Sequence, residues 1–201
     1  MDSILKSISF IFHPLLMPLL GVIFYFSKTP RFIPDPIIKA KLFSITILTI
    51  ILPMLLYYLL KTLNKVHSVY LESTNERKLP LLLNCFIILL VLFRVLPQNE
   101  IPELYFFFIG ILISTITCFI LAVVKFKASI HMIAASGFFM FAVALAIHFK
   151  ININGTIALM CIILGAIGTS RLHVKAHTVL ELIIGFFVGL MPQIILLNYW
   201  M

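Results

Sequence analysis

The sequence predicts an all-α integral membrane protein, a bundle of six or seven transmembrane helices. Of its 201 residues, 62% are hydrophobic and 11% are charged, against about half and about a quarter in soluble domains. The mean hydropathy is +1.17. A water-soluble fold of this length could not bury so much apolar surface, so residues 1–201 are expected to form a single membrane domain.

Seven apolar runs, each bounded by charged or turn residues, lie near the length of about 20 residues that spans a bilayer. Lipid offers backbone amides no hydrogen-bond partner, so each run is predicted to be a helix. The first is long and contains two prolines, which favours an uncleaved span over a signal peptide. The sixth is the shortest, and a half-inserted or tilted helix there would leave six spans. The runs are Ile8–Ser27, Lys41–Leu60, Pro80–Pro97, Leu104–Val124, His131–Phe149, Ile153–Gly168 and Thr178–Asn198.

The net charge of +8 could suggest a nucleic-acid partner. The 15 Lys and Arg residues are scattered among the connections, however, and do not form one basic soluble surface. Anionic lipid headgroups or phosphates are the expected partners. Cys85, Cys118 and Cys161 lie inside apolar runs without regular spacing, which predicts packing thiols rather than disulfides or a zinc site. The sequence also lacks the carboxylate cluster typical of magnesium sites, so no metal or other cofactor is expected.

Four polar segments are predicted to share one membrane face, because each span carries the chain across the bilayer. They are the N-terminus, Lys61–Leu79, Lys125–Ile130 and Ser170–His177. The positive-inside tendency would make this basic face cytoplasmic. That tendency concerns basic residues that set topology rather than those that bind a ligand, so the orientation stays open.

His177 and Glu181 are the first candidates for chemistry. Their spacing of four residues, at the start of the last run, puts both side chains on one helical face. Nδ1–H of His177 could then donate to the carboxylate, which fixes the tautomer and leaves Nε2 as a nucleophile. Arg171, in the preceding loop beside Ser170, could bind the oxygens of an anion. The alternative is a basic interfacial loop followed by an ordinary helix pair.

Two further segments of the same face carry polar side chains where apolar runs begin. His131 could protonate a departing oxygen and Ser129 could bind a phosphate, although Ser129 could instead simply cap a helix. Arg77 and Lys78 could neutralise a phosphate or merely anchor the chain to headgroups. A shared site is favoured because phosphoryl transfer requires a nucleophile, an acid and several cations together.

Other features are interpreted as structural. His13, His148 and His173 have no carboxylate at helical spacing. Gly185 and Gly189 have the spacing that permits close helix packing in membranes.

The candidate residues resemble the active-site motifs of the type 2 phosphatidic acid phosphatase superfamily, which shares its pattern with vanadium haloperoxidases and glucose-6-phosphatase. The third motif of the family is Ser-Arg, five residues, His, three residues, Asp. Ser170, Arg171, His177 and Glu181 match this motif, with glutamate in place of aspartate.

The other two motifs are similar but altered. The family's Pro-Ser-Gly-His resembles residues 128–131, which keep Ser129 and His131 and lack the Pro and Gly. The family's Lys, six residues, Arg-Pro is approximated by Arg77 and Lys78, while Glu72 stands at the expected lysine. The motifs occur in the family's order over about half of the chain.

The resemblance implies a membrane-embedded lipid phosphate phosphatase that works without metal. It implies that His177 forms a phosphohistidine held by Glu181, and that His131 protonates the leaving oxygen. The residues implied in phosphate binding are Arg171, Ser170, Ser129, Arg77 and Lys78. The implied partner is a membrane lipid with a phosphate or diphosphate headgroup. The implied location is a bacterial inner membrane, with the site on the extracytoplasmic side.

Several alternatives remain at this point. The choice of lipid, hydrolysis against phosphate transfer, and the oligomeric state are not defined by these residues. A catalytically degenerate lipid-binding scaffold is one rival, which the altered motifs would suit. A small transporter is another, for which the intramembrane polar residues Asn84, Thr117 and Arg94 would be the starting points.

Overall fold

The fold is an all-α bundle, as the sequence predicts, although the described part of the chain has seven helices of which five, not six or seven, reach spanning length and hydrophobicity. The computed structural model describes residues 7–8, 10–66 and 73–201, and these residues form helices and no strand. The helices are α1 (Met17–Lys28), α2 (Asp35–Thr62), α3 (Thr74–Arg94), α4 (Pro102–Val123), α5 (Ile130–His148), α6 (Asn154–His173) and α7 (Val179–Leu196). Among them α2, α4, α5, α6 and α7 are long and apolar enough to cross a membrane, which indicates an integral membrane protein.

The first predicted span is broken, which corrects the expectation of one continuous helix over Ile8–Ser27. His13 is extended, with φ −66° and ψ 137°, and Pro14 opens a short 3₁₀ turn that leads into α1. A residue before proline is driven out of the helical region because the proline ring clashes with its backbone. The break therefore follows from the sequence His13-Pro14.

Two other helices begin earlier than the apolar pattern predicts. α2 starts in the proline-rich connection, where Pro36 occupies the first helical turn and so loses no intrahelical bond. α3 starts at Thr74 because the Ser73 hydroxyl accepts from the Glu76 amide at 3.2 Å. Pro80, expected to begin the third span, lies inside α3. Arg77 and Lys78 are consequently helical residues and not part of a loop.

The sixth helix is longer than its apolar run. α6 has 20 residues and continues to His173, where Schellman-type bonds from Lys175 and Ala176 close its last turn. The six-span alternative rested on a short sixth run, and this helix is long enough to cross a bilayer. Ser170 and Arg171, expected in a loop, instead occupy the last turn of α6. The apolar pattern could not reveal this because the final turn is polar.

α5 and α7 approach each other closely at two glycines, as their spacing predicts. A Cβ on Gly185 would lie 2.9 Å from the carbonyl oxygen of Ser129, and one on Gly189 would lie 2.0 Å from that of Ile133. Real side chains do not tolerate such distances. These two positions therefore accept only glycine if the helices are to keep this separation.

Buried polar side chains tie the same helices together. Ser136 of α5 donates to the Phe186 carbonyl at 2.9 Å, and Ser114 of α4 donates to the Val188 carbonyl at 2.9 Å. Gln193 of α7 donates to the Phe107 carbonyl at 3.1 Å. Since lipid supplies no competing partner, hydroxyl and amide groups inside a membrane bundle are used in this way to join helices.

A buried ion-pair cluster closes the end of the bundle where α4 begins. The Glu103 carboxylate is fully buried and faces Arg31 at 2.8 Å, His148 Nε2 at 3.4 Å and the Tyr25 hydroxyl at 3.4 Å. His148 thus has a carboxylate partner on another helix, which its local sequence could not show. The cluster joins α1, α4, α5 and the connection before α2. We interpret it as structural because the buried charges are paired.

A glycine substitution tests the close approach of α5 and α7. Gly189→Ala should lower the free energy of unfolding by about 1–3 kcal/mol, because the added methyl meets the Ile133 carbonyl and the Ser136 hydroxyl. The matched control is Gly165→Ala in α6, where a Cβ meets nothing within 4 Å. It should be neutral or stabilising by about 0.5–1 kcal/mol, since alanine is the better helix former. Unfolding in detergent micelles measures both, and equal effects would contradict the packing.

Candidate active site

His177 and Glu181 form a hydrogen-bonded pair at the start of α7. Nδ1 of His177 lies 2.8 Å from Oε2 of Glu181 and 3.1 Å from the backbone carbonyl of Lys127. The Lys127 carbonyl can only accept a hydrogen bond, so we assign the proton to Nδ1. Nε2 is then unprotonated, which is the state that a nucleophile requires.

Glu181 is held in place by the helix that it caps. Its Oε2 accepts from the Thr178 amide at 3.1 Å, while the Thr178 hydroxyl accepts from the Glu181 amide at 3.3 Å. This reciprocal capping box fixes the carboxylate one turn from His177. The Glu181 carboxylate thus contacts both the first turn of α7 and the imidazole of His177.

His177 is neutral at physiological pH. Its side chain is 2% exposed, and burial lowers the pKa of His177 to about 4, which outweighs the opposing hydrogen bond to Glu181. The nearby positive charges of Arg77 and Arg171 lower this pKa further. A neutral imidazole with a free Nε2 is therefore available over the physiological range.

The segment 127–129 before α5 is the point where the site elements meet. The Lys127 carbonyl faces His177, and the Ala128 carbonyl accepts from Nη1 of Arg77 at 2.9 Å. The Ser129 amide donates to the Glu181 carbonyl at 3.2 Å. Nζ of Lys127 donates to the Ala176 carbonyl at 3.1 Å. Three elements, α3, α5 and the start of α7, are thereby locked together by backbone groups.

Ser129 occupies the N-cap position of α5 without using its side chain as a cap. The residue is 0% exposed, and its Oγ has no hydrogen-bond partner among the described residues. The first amides of α5 are likewise not capped by this hydroxyl. A buried hydroxyl without a partner at the start of a helix is suited to bind an anion.

Ser170 and Arg171 lie in the last turn of α6. Both residues are buried, with Ser170 at 0% and Arg171 at 8% exposure. The positive charge of Arg171 lowers the pKa values of His177, Arg77 and His13, so Arg171 lies within electrostatic range of these three residues. Arg77 is also buried, and its charge likewise acts on His177.

His131 lies in the first turn of α5 next to a histidine that sequence reasoning set aside. The rings of His13 and His131 meet edge to face, with centroids 5.8 Å apart. His13 has no carboxylate at helical spacing, which is why it was interpreted as structural. The predicted topology could have made His13 a candidate, because the start of the first apolar run lies on the same membrane face as the other candidate residues.

One sequence candidate, Lys78, is not joined to this cluster by a described contact. Lys78 is half-buried, and within the described ranges no hydrogen bond or ion pair joins it to the other site residues. Its neighbour Arg77 makes the contact with the α5 segment, because consecutive helical side chains point in different directions. Glu72, at the place expected for a family lysine, lies outside the described residues.

The assembled site has the parts for anion chemistry. It combines an oriented neutral imidazole, two buried guanidinium groups, an unused hydroxyl and a second histidine. In the described part of the chain, no three His, Cys, Asp or Glu side chains are grouped to hold a metal ion. Arg77 and Arg171 are the buried cations of the cluster.

The fold and site define a helical integral membrane protein with a basic, histidine-containing cluster at one end of the bundle. Comparison with family models, curated proteins and solved structures gave no match to the chain. The function is accordingly argued from the geometry of the site and from the motifs that its residues form.

Removing the unused hydroxyl tests whether the site binds an anion. Ser129→Ala should leave the free energy of unfolding unchanged or raise it by about 1 kcal/mol, because a buried unsatisfied hydroxyl is lost. It should weaken phosphate binding by about tenfold, as expected for one hydrogen bond to a charged group. Chemical unfolding and isothermal titration with inorganic phosphate measure the two effects.

Ser136→Ala is the matched control. Its hydroxyl joins α5 to α7, so this variant should lose about 1 kcal/mol of stability and keep its phosphate affinity. If Ser129→Ala behaves in the same way, Ser129 is a structural residue.

Proposed function

We propose that the protein is a membrane-embedded lipid phosphate phosphatase that acts through a phosphohistidine. The observation that carries the proposal is the His177–Glu181 pair, in which Nδ1 holds the proton, Nε2 is unprotonated and the positive charges of Arg77 and Arg171 act on the imidazole. A phosphoryl-accepting histidine requires an unprotonated nitrogen, a group that stabilises the opposite nitrogen and nearby positive charge. Together they fit the nucleophile and the charge clamp of phosphoryl transfer.

The first step transfers the phosphoryl group to the protein. Nε2 of His177 attacks phosphorus, the bond from phosphorus to the leaving oxygen breaks, and the protonated His131 gives that oxygen its proton. Glu181 stabilises the positive charge that develops on the imidazole through the Nδ1 hydrogen bond. The alcohol of the lipid, or a shorter lipid phosphate, then departs.

The second step releases inorganic phosphate. His131, now neutral, accepts a proton from a water molecule whose oxygen attacks the phosphohistidine. The bond from phosphorus to Nε2 breaks, which restores the neutral His177. The Arg77 and Arg171 guanidinium groups, the Ser129 hydroxyl and the first amides of α5 would bind the phosphoryl oxygens in both steps.

The motif resemblance to the type 2 phosphatidic acid phosphatase superfamily supports the same reaction. The glutamate at 181 differs from the family's aspartate, yet it reaches Nδ1 of His177 at 2.8 Å. The distance is that of a strong charge-assisted hydrogen bond. The substitution is therefore compatible with an active dyad.

An apolar cleft beside the site supports a lipid substrate. The cleft, of about 130 Å³, lies between α1, α5 and α6, and its lining includes Phe12, Leu20, Ala135, Phe138, Met160 and Leu164. Phe12 adjoins His13, and Ala135 follows His131 by one helical turn. Leu164 precedes Arg171 by two turns on the same helix. A hydrocarbon chain in this cleft would extend away from a phosphate bound at the site.

The nucleophile is tested by His177→Ala. Purified wild-type protein should release phosphate from phosphatidate in detergent, and the variant should lose this activity by at least about 1000-fold, because the covalent route is removed. His173→Ala, at the exposed end of α6, is the matched control and should retain it. Wild type incubated with radiolabelled lipid phosphate and quenched in alkali should carry label that His177→Ala lacks.

The pH dependence of kcat/KM is a second test of His177. Since the pKa of His177 is lowered to about 4, the acid limb of kcat/KM should fall near pH 4 once the substrate's own ionisation is allowed for. An unperturbed histidine would titrate near pH 6.5. Full turnover by His177→Ala would rule out the nucleophile, and an inactive wild type would favour the scaffold alternative.

The lipid cleft is tested by filling it from α6. Met160→Trp should raise the KM for a long-chain lipid phosphate by about tenfold or more. This is the effect expected if the larger side chain keeps about two methylenes of the lipid tail from being buried in the cleft. It should leave hydrolysis of a short-chain, water-soluble phosphate unchanged. Ile162→Trp, on the exposed side of the same helix, should alter neither. Equal loss with both substrates would show that Met160→Trp disturbs the site rather than the tail.

A further inference from the structure

His13 lies outside all the residues that the motifs single out. It stands in the extended stretch before α1, held there by Pro14, whose ring prevents the helix from continuing through it. Because of this break, its imidazole contacts the first turn of α5 and does not lie along α1. The ring contact with His131, at 5.8 Å between centroids, places it beside the acid of the proposed reaction.

The tautomer of His13 is set by a local contact. Its Nδ1 accepts from the Leu15 amide at 3.3 Å, so in the neutral ring the proton is on Nε2. Nε2 has no hydrogen-bond partner among the described residues. His13 as a whole is half-buried. The charge of Arg171 acts on the same ring.

We propose that His13 is a third histidine of the site, whose Nε2–H donates a hydrogen bond to an oxygen of the bound phosphate between His131 and Arg171. The proposal rests on the proposed function for the identity of the substrate. As a neutral donor, His13 would add a directed hydrogen bond to the charges that the two arginines supply. Three chain segments, the stretch before α1, the start of α5 and the end of α6, would then each contribute a phosphate ligand.

The competing explanation is that His13 only caps the 3₁₀ turn at Pro14–Leu16. Asparagine separates the two, because its carbonyl oxygen can accept from the Leu15 amide in place of Nδ1. His13→Asn therefore preserves the cap and removes the imidazole N–H. His13→Asp also preserves the cap, but it adds a negative charge that would repel phosphate.

Kinetics on a lipid phosphate give the first test. With phosphatidate in mixed micelles, His13→Asn should raise KM by about tenfold or more, since a hydrogen bond to a charged group is lost. His13→Asp should weaken binding further, and both variants should unfold at the wild-type temperature. An unchanged KM in His13→Asn, with an active wild type, would overturn the role of His13 and leave the proposed function standing.

A binding measurement tests the role of His13 independently of the proposed phosphatase function. In protein with ¹⁵N-labelled histidines, inorganic phosphate should shift the Nε2–H resonance of His13, which is assigned by its loss in His13→Asn. If the wild type hydrolyses no lipid phosphate but this shift occurs, the proposed function fails and the anion-binding role of His13 holds. If phosphate shifts other histidine resonances and leaves that of His13 unmoved, the inference is overturned.

Discussion

The close approach of α5 and α7 is the constraint on which the rest of the molecule depends. Without side chains at Gly185 and Gly189, the backbone of α7 can lie against the start of α5, and the Ser129 amide reaches the Glu181 carbonyl. The same proximity brings the Lys127 carbonyl to His177. A wider separation would break both contacts at once, because each is a backbone group with a fixed reach.

The two ends of the bundle hold buried charge in different ways. At the Glu103 end, a sealed carboxylate faces an arginine, a histidine and a tyrosine, so the charges compensate within the protein. At the other end, the buried Arg77 donates to the Ala128 carbonyl, and the charges of Arg77 and Arg171 act on His177, whose Nδ1 faces Glu181. The first arrangement joins helices by ion pairs, whereas the second surrounds an imidazole with charge.

Much of this architecture could be predicted from the sequence because its causes are local. Each apolar run near the spanning length predicted a helix. The spacing of four residues predicted the hydrogen bond between His177 and Glu181. The helix ends were predicted less well, since Ser73 and the last turn of α6 are set by hydrogen bonds that apolar patterning does not register. The His13–His131 contact and the His148–Glu103 pair join distant segments of the chain. No spacing rule within one helix could reveal them.

The capping box of α7 gives one carboxylate two tasks. Glu181 closes the first turn of the helix and also holds the imidazole of His177. Local unfolding of that turn, the kind of fraying common at helix ends, would therefore release the histidine at the same moment. The dyad exists only in molecules whose first α7 turn is closed. Hydrogen exchange at the Glu181 amide would accordingly report the fraction of molecules in which His177 is oriented.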